Sequence, residues 1–266
     1  MAEPFFRALE IVVPRLANAN GPHVRIDGLE NIPEHGGAVL AFNHTGYLDW
    51  YPGSIAALRR GRRLRFMIKA EMTHVPGVNY VIKHINLIPV DRSAGSGAYD
   101  VAVQRLAEGQ LVGLHPEATI SRSFELREFK TGAVRLAYAA GVPIIPSIVW
   151  GIHRVWTKDH PKHLWRNHIP VLMKIGPPMT PSDDVEAATV ELHDTMAAML
   201  EQAQLEYPHP AGAYWVPRRL GGSAPTVAEA VRLRQAELAE RDRKRLQRAS
   251  RERRRLRRTL SGVGRP

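Results

Sequence analysis

A histidine and an aspartate stand five residues apart at the end of an apolar run, in Phe42-Asn43-His44-Thr45-Gly46-Tyr47-Leu48-Asp49-Trp50. If the two meet, the carboxylate holds one imidazole nitrogen, sets the tautomer and leaves the other nitrogen to act as a base. On a regular helix, positions five apart point about 140° away from each other. His44 and Asp49 therefore meet only if the chain turns between them, and Gly46 offers the freedom for such a turn. Asp49 would then open a helix, WYPGSIAAL, with its carboxylate turned back to the ring. That is two thirds of a catalytic triad with no nucleophile beside it, so the nucleophile is expected to arrive with the substrate. The same spacing also fits a plainer arrangement, in which Asp49 caps the helix and His44 packs near the strand end.

Three further constellations follow apolar runs. Asp91-Arg92 stands after INLIPV, His115-Pro116-Glu117-Ala118-Thr119-Ile120-Ser121-Arg122 after LVGL, and GVPIIPSIVWG after a helix-like stretch. Arginine suits phosphate because its planar fork donates two hydrogen bonds at once. Glu117 and Thr119 suit the hydroxyl groups of a polar acceptor. Taken singly, each also reads as a solvated charge, a turn or a helix cap.

The elements that must position these groups are visible as an alternation. HVRIDG, GAVLAF, LRFMI, INLIPV, LVGL, VPIIPSIVW and VLMKIG read as strands. WYPGSIAALRR, GAYDVAVQRLAEG, TGAVRLAYAAG and VEAATVELHDTMAAMLEQAQ read as helices. This predicts a single α/β domain over residues 21–210, a largely parallel central sheet flanked by helices, with His44 beyond the carboxyl end of a strand, where such sheets bind ligands. Residues 1–20, with Phe5, Phe6, Leu9, Val12, Val13 and Leu16 on one face, predict a short amphipathic helix. Residues 211–266 predict a loop followed by an arginine-rich helical tail.

Composition narrows the chemistry. The 266 residues contain no cysteine, which removes disulfides, thiolate zinc sites and any acyl-cysteine intermediate. His115-x-Glu117 therefore cannot serve a cysteine-ligated deaminase zinc. His160, His163 and His168 lie close in sequence, but with few carboxylates nearby no metal is expected there. No run reaches the roughly 18 apolar residues of a membrane span, and no signal peptide is recognised, so a cytoplasmic location is expected. The net charge of +11 lies entirely in residues 211–266, which hold 16 basic and 5 acidic residues. A balanced body with a basic appendage makes nucleic acid an unlikely main partner and an anionic membrane surface a plausible one.

In this order, NHTGYLD, IPVDR, HPEATIS and VPIIPSIVWG resemble the four blocks of the glycerolipid acyltransferase family, typified by lysophosphatidic acid acyltransferases. The resemblance covers about residues 23–175, and four ordered blocks at family-like spacing are far more specific than any one. RFMIKAEM resembles the family's lysine-bearing strand, and FKTGA at 129–133 fits as well. The resemblance implies that His44 is the general base and Asp49 its orienting partner. It implies that Lys69, Arg92, Glu117, Thr119 and Arg122 bind the acceptor, and that the nucleophile is the acceptor's own hydroxyl. It implies an acyl donor carried by coenzyme A or acyl carrier protein, with no metal or organic cofactor. The expected acceptor is 1-acylglycerol 3-phosphate, giving phosphatidic acid, with glycerol 3-phosphate or another lysolipid or glycolipid as the alternative. Such an enzyme is expected at the inner face of the cell membrane, held peripherally. Gly46, Ala118 and Ile120 depart from the family's Ser, Gly and Arg.

Overall fold

The seven apolar runs become the seven strands of one sheet. They are β1 (His23–Asp27), β2 (Ala38–Phe42), β3 (Leu64–Lys69), β4 (Ile88–Val90), β5 (Leu111–Leu114), β6 (Ile144–Trp150) and β7 (Pro170–Ile175). The computed structural model describes residues 21–70, 87–90 and 97–262. The strand order is β1-β7-β6-β2-β5-β3-β4, and every neighbouring pair is parallel except β6 with β7. The expected largely parallel sheet is present, with β2 at its centre.

The composition of β2 follows from that place. All five of its residues are buried, as are all seven of β6, because helices cover both faces of the sheet. Successive residues still alternate between two cores. Val39 and Ala41 join one with Val112, Ile144, Ile148 and Trp150, while Ala38, Leu40 and Phe42 join the other with Phe66, Ile145 and Val149. The second core is closed by α1 (Trp50–Arg59), which packs tightly because it carries a glycine. A Cβ at Gly53 would meet the Phe42 ring at 2.6 Å, so an alanine there would push α1 off the sheet.

The opposite core is closed by α2 (Gly97–Ala107), α3 (Gly132–Ala140) and α4 (Val185–Glu206), through Ala102, Leu106, Val134, Leu136, Leu192 and Met196. Trp215, Val216 and Ala224 are buried in that same core. The expected division at residue 210 therefore does not mark an end of packing: the 211–226 loop is part of the domain. The long helix α5 (Val227–Gly262) starts with a reciprocal cap between Thr226 and Glu229, the Glu229 amide donating to Thr226 Oγ1 and the Thr226 amide to Glu229 Oε2. The amphipathic helix expected at 1–20 lies outside the described residues. Among the described residues, no helix is long and apolar enough to cross a membrane.

Candidate active site

The site is built at the carboxyl end of β2. Beyond Phe42 the ladder with β6 is continued by a side chain: the Val149 amide donates to Asn43 Oδ1 (2.7 Å), and Asn43 Nδ2 donates to the Val149 carbonyl (3.0 Å). The next residue, His44, is held by its main chain on both sides. Its amide donates to Glu117 Oε1 (2.7 Å), and its carbonyl accepts from the Ser121 amide (2.7 Å). The imidazole leaves a backbone that cannot shift without breaking two buried hydrogen bonds.

The chain then turns, as the His44-to-Asp49 spacing requires. Asp49 Oδ2 accepts from the amides of Thr45 (2.7 Å) and Gly46 (2.9 Å) and faces His44 Nδ1 at 2.9 Å. Asp49 sits at the N-cap position of α1 but makes no capping hydrogen bond, which decides between the two arrangements open in the sequence. Its carboxylate serves the turn and the imidazole. With Nδ1 donating to the carboxylate, Nε2 is the basic nitrogen of His44. The Asp49 side chain is wholly buried, and burial pushes its carboxyl up to about 7 while the Gly46 and Thr45 amides act against the rise.

His115 is the group that sequence reasoning passed over. Its ring stacks on His44, with centroids 4.0 Å apart and planes 13° from parallel. Its Nδ1 lies 3.0 Å from the Asn43 carbonyl and 3.3 Å from that of Phe42, so Nδ1 carries the proton and Nε2 is an acceptor. Burial, and then the neighbouring His44, push His115 down to about 3, so it stays neutral. It keeps a flat π surface under the base. A cation forming on His44 is stabilised by such a face.

Donor atoms of His44, Asp49 and His115 lie within 4.8 Å of one another. Two stacked rings nonetheless keep their lone pairs in separate, nearly parallel planes, which does not suit an ion needing them to converge at about 2.0–2.1 Å. The histidines of the 156–168 loop are engaged separately: His160 stacks on Tyr214 at 3.8 Å, and His168 lies against His23.

The HPEATIS loop approaches the dyad from β5. Glu117 is buried, and its second oxygen accepts from the Arg127 amide at 3.1 Å. Both oxygens thus accept from main chain, so Glu117 clamps the His44 strand end to the 125–130 segment. Burial pushes its carboxyl up to about 8, with the His44 and Arg127 amides opposing. Ala118 closes a tight turn onto the His115 carbonyl (3.0 Å) with φ of 59°, the left-handed region in which glycine is unstrained. This explains the family's glycine and makes Ala118 a strained replacement. Ile120, in the place of an arginine, is buried.

Thr119 is half-buried on this loop. Arg122 Nε donates to Asp159 (2.5 Å) and Nη1 to Glu237 of α5 (3.0 Å), where Lys158 Nζ also donates (3.0 Å). Lys69 ends β3 opposite Val90. Arg92 lies outside the described residues.

A second support was invisible in the sequence. Thr157 Oγ1 donates to the Thr45 carbonyl (2.6 Å), the Tyr47 amide donates to the Trp156 carbonyl (3.0 Å), and His153 Nδ1 lies 3.4 Å from Thr45 Oγ1. The segment after β6 thus braces the turn between base and carboxylate. It also accounts for Gly46, because a Cβ there would meet the Trp156 carbonyl at 2.9 Å and His153 Cα at 3.0 Å.

Comparison with known proteins agrees with the geometry. Residues 23–150 match the family model described as Acyltransferase. The 1-acyl-sn-glycerol-3-phosphate acyltransferase of Bacillus subtilis is 30% identical over 48% of this chain and 63% of its own. The chloroplastic 1-acyl-sn-glycerol-3-phosphate acyltransferase LPAT1 of Arabidopsis thaliana is 28% identical over 50% of this chain and 37% of its own. The chain thus spans less than two thirds of the length of these relatives. The crystal structure of the 1-acyl-sn-glycerophosphate acyltransferase PlsC from Thermotoga maritima shares the fold, with a TM-score of 0.63 and 23% identity over 76% of this chain and 81% of that one. Residues 23–150, which carry the His44–Asp49 dyad and the clamp around it, are thus similar to the acyltransferase family over just under half of the chain.

Proposed function

We propose that the protein transfers a fatty acyl group from an acyl thioester to the hydroxyl of a glycerol-phosphate acceptor. The favoured acceptor is 1-acylglycerol 3-phosphate, with phosphatidic acid as product. The observation that carries this reading is the buried Asp49 carboxylate 2.9 Å from His44 Nδ1, which directs the basic Nε2 away from it. His44 removes the acceptor's proton as its oxygen attacks the thioester carbonyl, and Asp49 stabilises the imidazolium that forms. As the tetrahedral intermediate collapses, the carbon–sulfur bond breaks and His44 returns the proton to the departing thiolate. No protein nucleophile is consumed, and the absence of cysteine fits a direct transfer.

Lys69, Arg92, Thr119 and Arg122 are assigned to the acceptor's polar headgroup, which aligns the hydroxyl by remote binding. Arg122 is held by Asp159 and Glu237, so an acceptor phosphate there exchanges with those carboxylates. Coenzyme A or acyl carrier protein supplies the acyl chain, and the protein attaches peripherally to the inner face of the cell membrane. Glycerol 3-phosphate is the second acceptor to test. Purified protein is incubated with acyl-coenzyme A or acyl carrier protein and each acceptor in turn, and released thiol is followed directly, since a chain without cysteine adds no background. Acceptor-dependent thiol release is expected; its absence with every donor and acceptor pair refutes the reading.

A further inference from the structure

The segment at 156–168, WTKDHPKHLWRNH, holds two adjacent apolar side chains out in water. Trp165 is 70% exposed, more than any other aromatic residue among those described, and Leu164 is 53% exposed. The loop that carries them has a defined shape. The His163 amide donates to the Val155 carbonyl (2.8 Å), Asn167 Nδ2 to the His163 carbonyl (2.6 Å), and His160 stacks on Tyr214. Asp159, Arg166 and His168 take left-handed backbone angles, φ of 63°, 48° and 43°, that a loose segment of such residues would rarely hold. Leu164 and Trp165 are therefore presented by an ordered loop.

The loop begins beside the catalytic turn. Trp156 packs against Tyr47 with ring centroids 4.6 Å apart and planes tilted by 37°, and Lys162 Nζ lies 4.1 Å from the centre of the Trp156 ring. Tyr47 and Trp50, on either side of Asp49 in the chain, are themselves exposed. The loop's one carboxylate, Asp159, is bound by Arg122, which leaves Lys162 and Arg166 flanking the apolar pair with positive charge. Amphipathic rings interleaved with long cationic side chains are the composition that settles at the headgroup boundary of a bilayer. A protein partner is less well matched, because the patch adjoins the site that takes a lipid acceptor.

We propose that the 156–168 loop is a bilayer-contact surface. Leu164 and Trp165 enter the boundary between headgroups and acyl chains, Lys162 and Arg166 meet lipid phosphates, and the His44 turn is brought to the leaflet that supplies the acceptor. This rests on the acyltransferase reading for its purpose but is measured without turnover.

The full-length protein is compared with a Leu164→Ala/Trp165→Ala variant and with Val190→Ala/Leu205→Ala, a control pair on α4 that is 59% and 68% exposed. Vesicles of phosphatidylcholine, alone or mixed with phosphatidylglycerol, are sedimented, and a bromine-labelled acyl chain reports tryptophan depth by quenching. The loop variant is expected to partition at least about tenfold more weakly on both vesicles while the control is unchanged. Trp165→Phe is expected to keep most of the partitioning and lose most of the quenching. Equal partitioning of the loop variant and the wild type, or quenching unaltered in Trp165→Phe, overturns the proposal and leaves the patch to a protein partner. Thiol release with a water-soluble, short-chain lysophosphatidic acid is read alongside and is expected to be the same in the loop variant and the wild type. If the wild type shows none, the catalytic reading fails while the vesicle result stands on its own.

Discussion

Replacing Glu117 with glutamine separates a clamp from a substrate contact. The carboxylate accepts from the His44 amide at 2.7 Å and from the Arg127 amide at 3.1 Å. A glutamine of the same shape has one acceptor oxygen, so one of the two amides must face an NH2 group that cannot accept. A buried hydrogen bond contributes about 0.5–1.5 kcal/mol, and a stranded buried amide costs about 1–3 kcal/mol. A loss near 2 kcal/mol is expected, which for a chain of this size lowers Tm by about 4–8 °C. The same change frees the His44 backbone, and a displacement of about 1 Å at a catalytic group costs on the order of 10²-fold. Turnover is therefore expected to fall by roughly 10- to 100-fold while the acceptor KM stays within about twofold, because the hydrogen bonds lost are to main chain. Thermal unfolding and steady-state kinetics with varied acceptor measure both. An unchanged Tm together with a raised acceptor KM and normal kcat would refute the clamp and return Glu117 to the acceptor.

His44→Ala is expected to lower turnover by at least about 10² with the fold intact, and near-normal turnover would remove it as the base. Burial holds Asp49 up at about 7, so kcat is expected to rise with pH through that region as the dyad ionises; a flat profile from about pH 5 to about pH 9 would contradict this. Glu117 has a folded-state pKa raised to about 8, so its contribution is intact at acid pH and is lost as pH rises from the ordinary carboxylate range through about 8. Denaturant midpoints should decline over that window in the wild type and decline less in Glu117→Gln. Ala118→Gly relieves a left-handed alanine worth about 1–2 kcal/mol against an unfolded-state cost of about 0.4–1 kcal/mol. A net gain of about 0.5–1 kcal/mol in chemical denaturation is expected, and a loss would mean the angle carries no strain. Truncation after Lys244 should leave Tm unchanged and weaken binding to anionic vesicles, in the same way that salt does for the full chain. Truncation before Val227 should also lower Tm, since it removes buried Ala230 and the Glu237 partner of Arg122 and Lys158.

The strands were legible because central parallel strands are apolar on both faces: β2 has no polar residue and β6 only the buried Ser147. The reversal of β7 against β6 was not legible, since PVLMKI is equally apolar in either direction. At the site, the His44–Asp49 turn could be argued from spacing and Gly46 alone. The function of Glu117 could not, because its partners are amides 73 and 10 residues away, and any residue type supplies an amide. His115 was hidden for a related reason: its value is a flat neutral surface under His44, which no spacing rule encodes. The 153–157 brace and the Arg122–Glu237 pair join segments distant in sequence, and single charges in the chain do not announce which opposite charge they will meet. Trp215 and Val216 sit in a stretch rich in Pro and Gly that resembles a linker, and only their burial reveals them as core.

The 36-residue α5 is also a spacer. At about 1.5 Å per residue it is about 54 Å long, and its last residue lies about 38 Å along the axis from Glu237, where the helix is fastened beside the HPEATIS loop. Physiological salt screens charge beyond about 8 Å. The arginines toward its far end therefore cannot alter the potential at His44, however many are present. On the reading proposed above, adding or removing terminal charge should change residence on an anionic surface and leave the chemistry at each encounter the same.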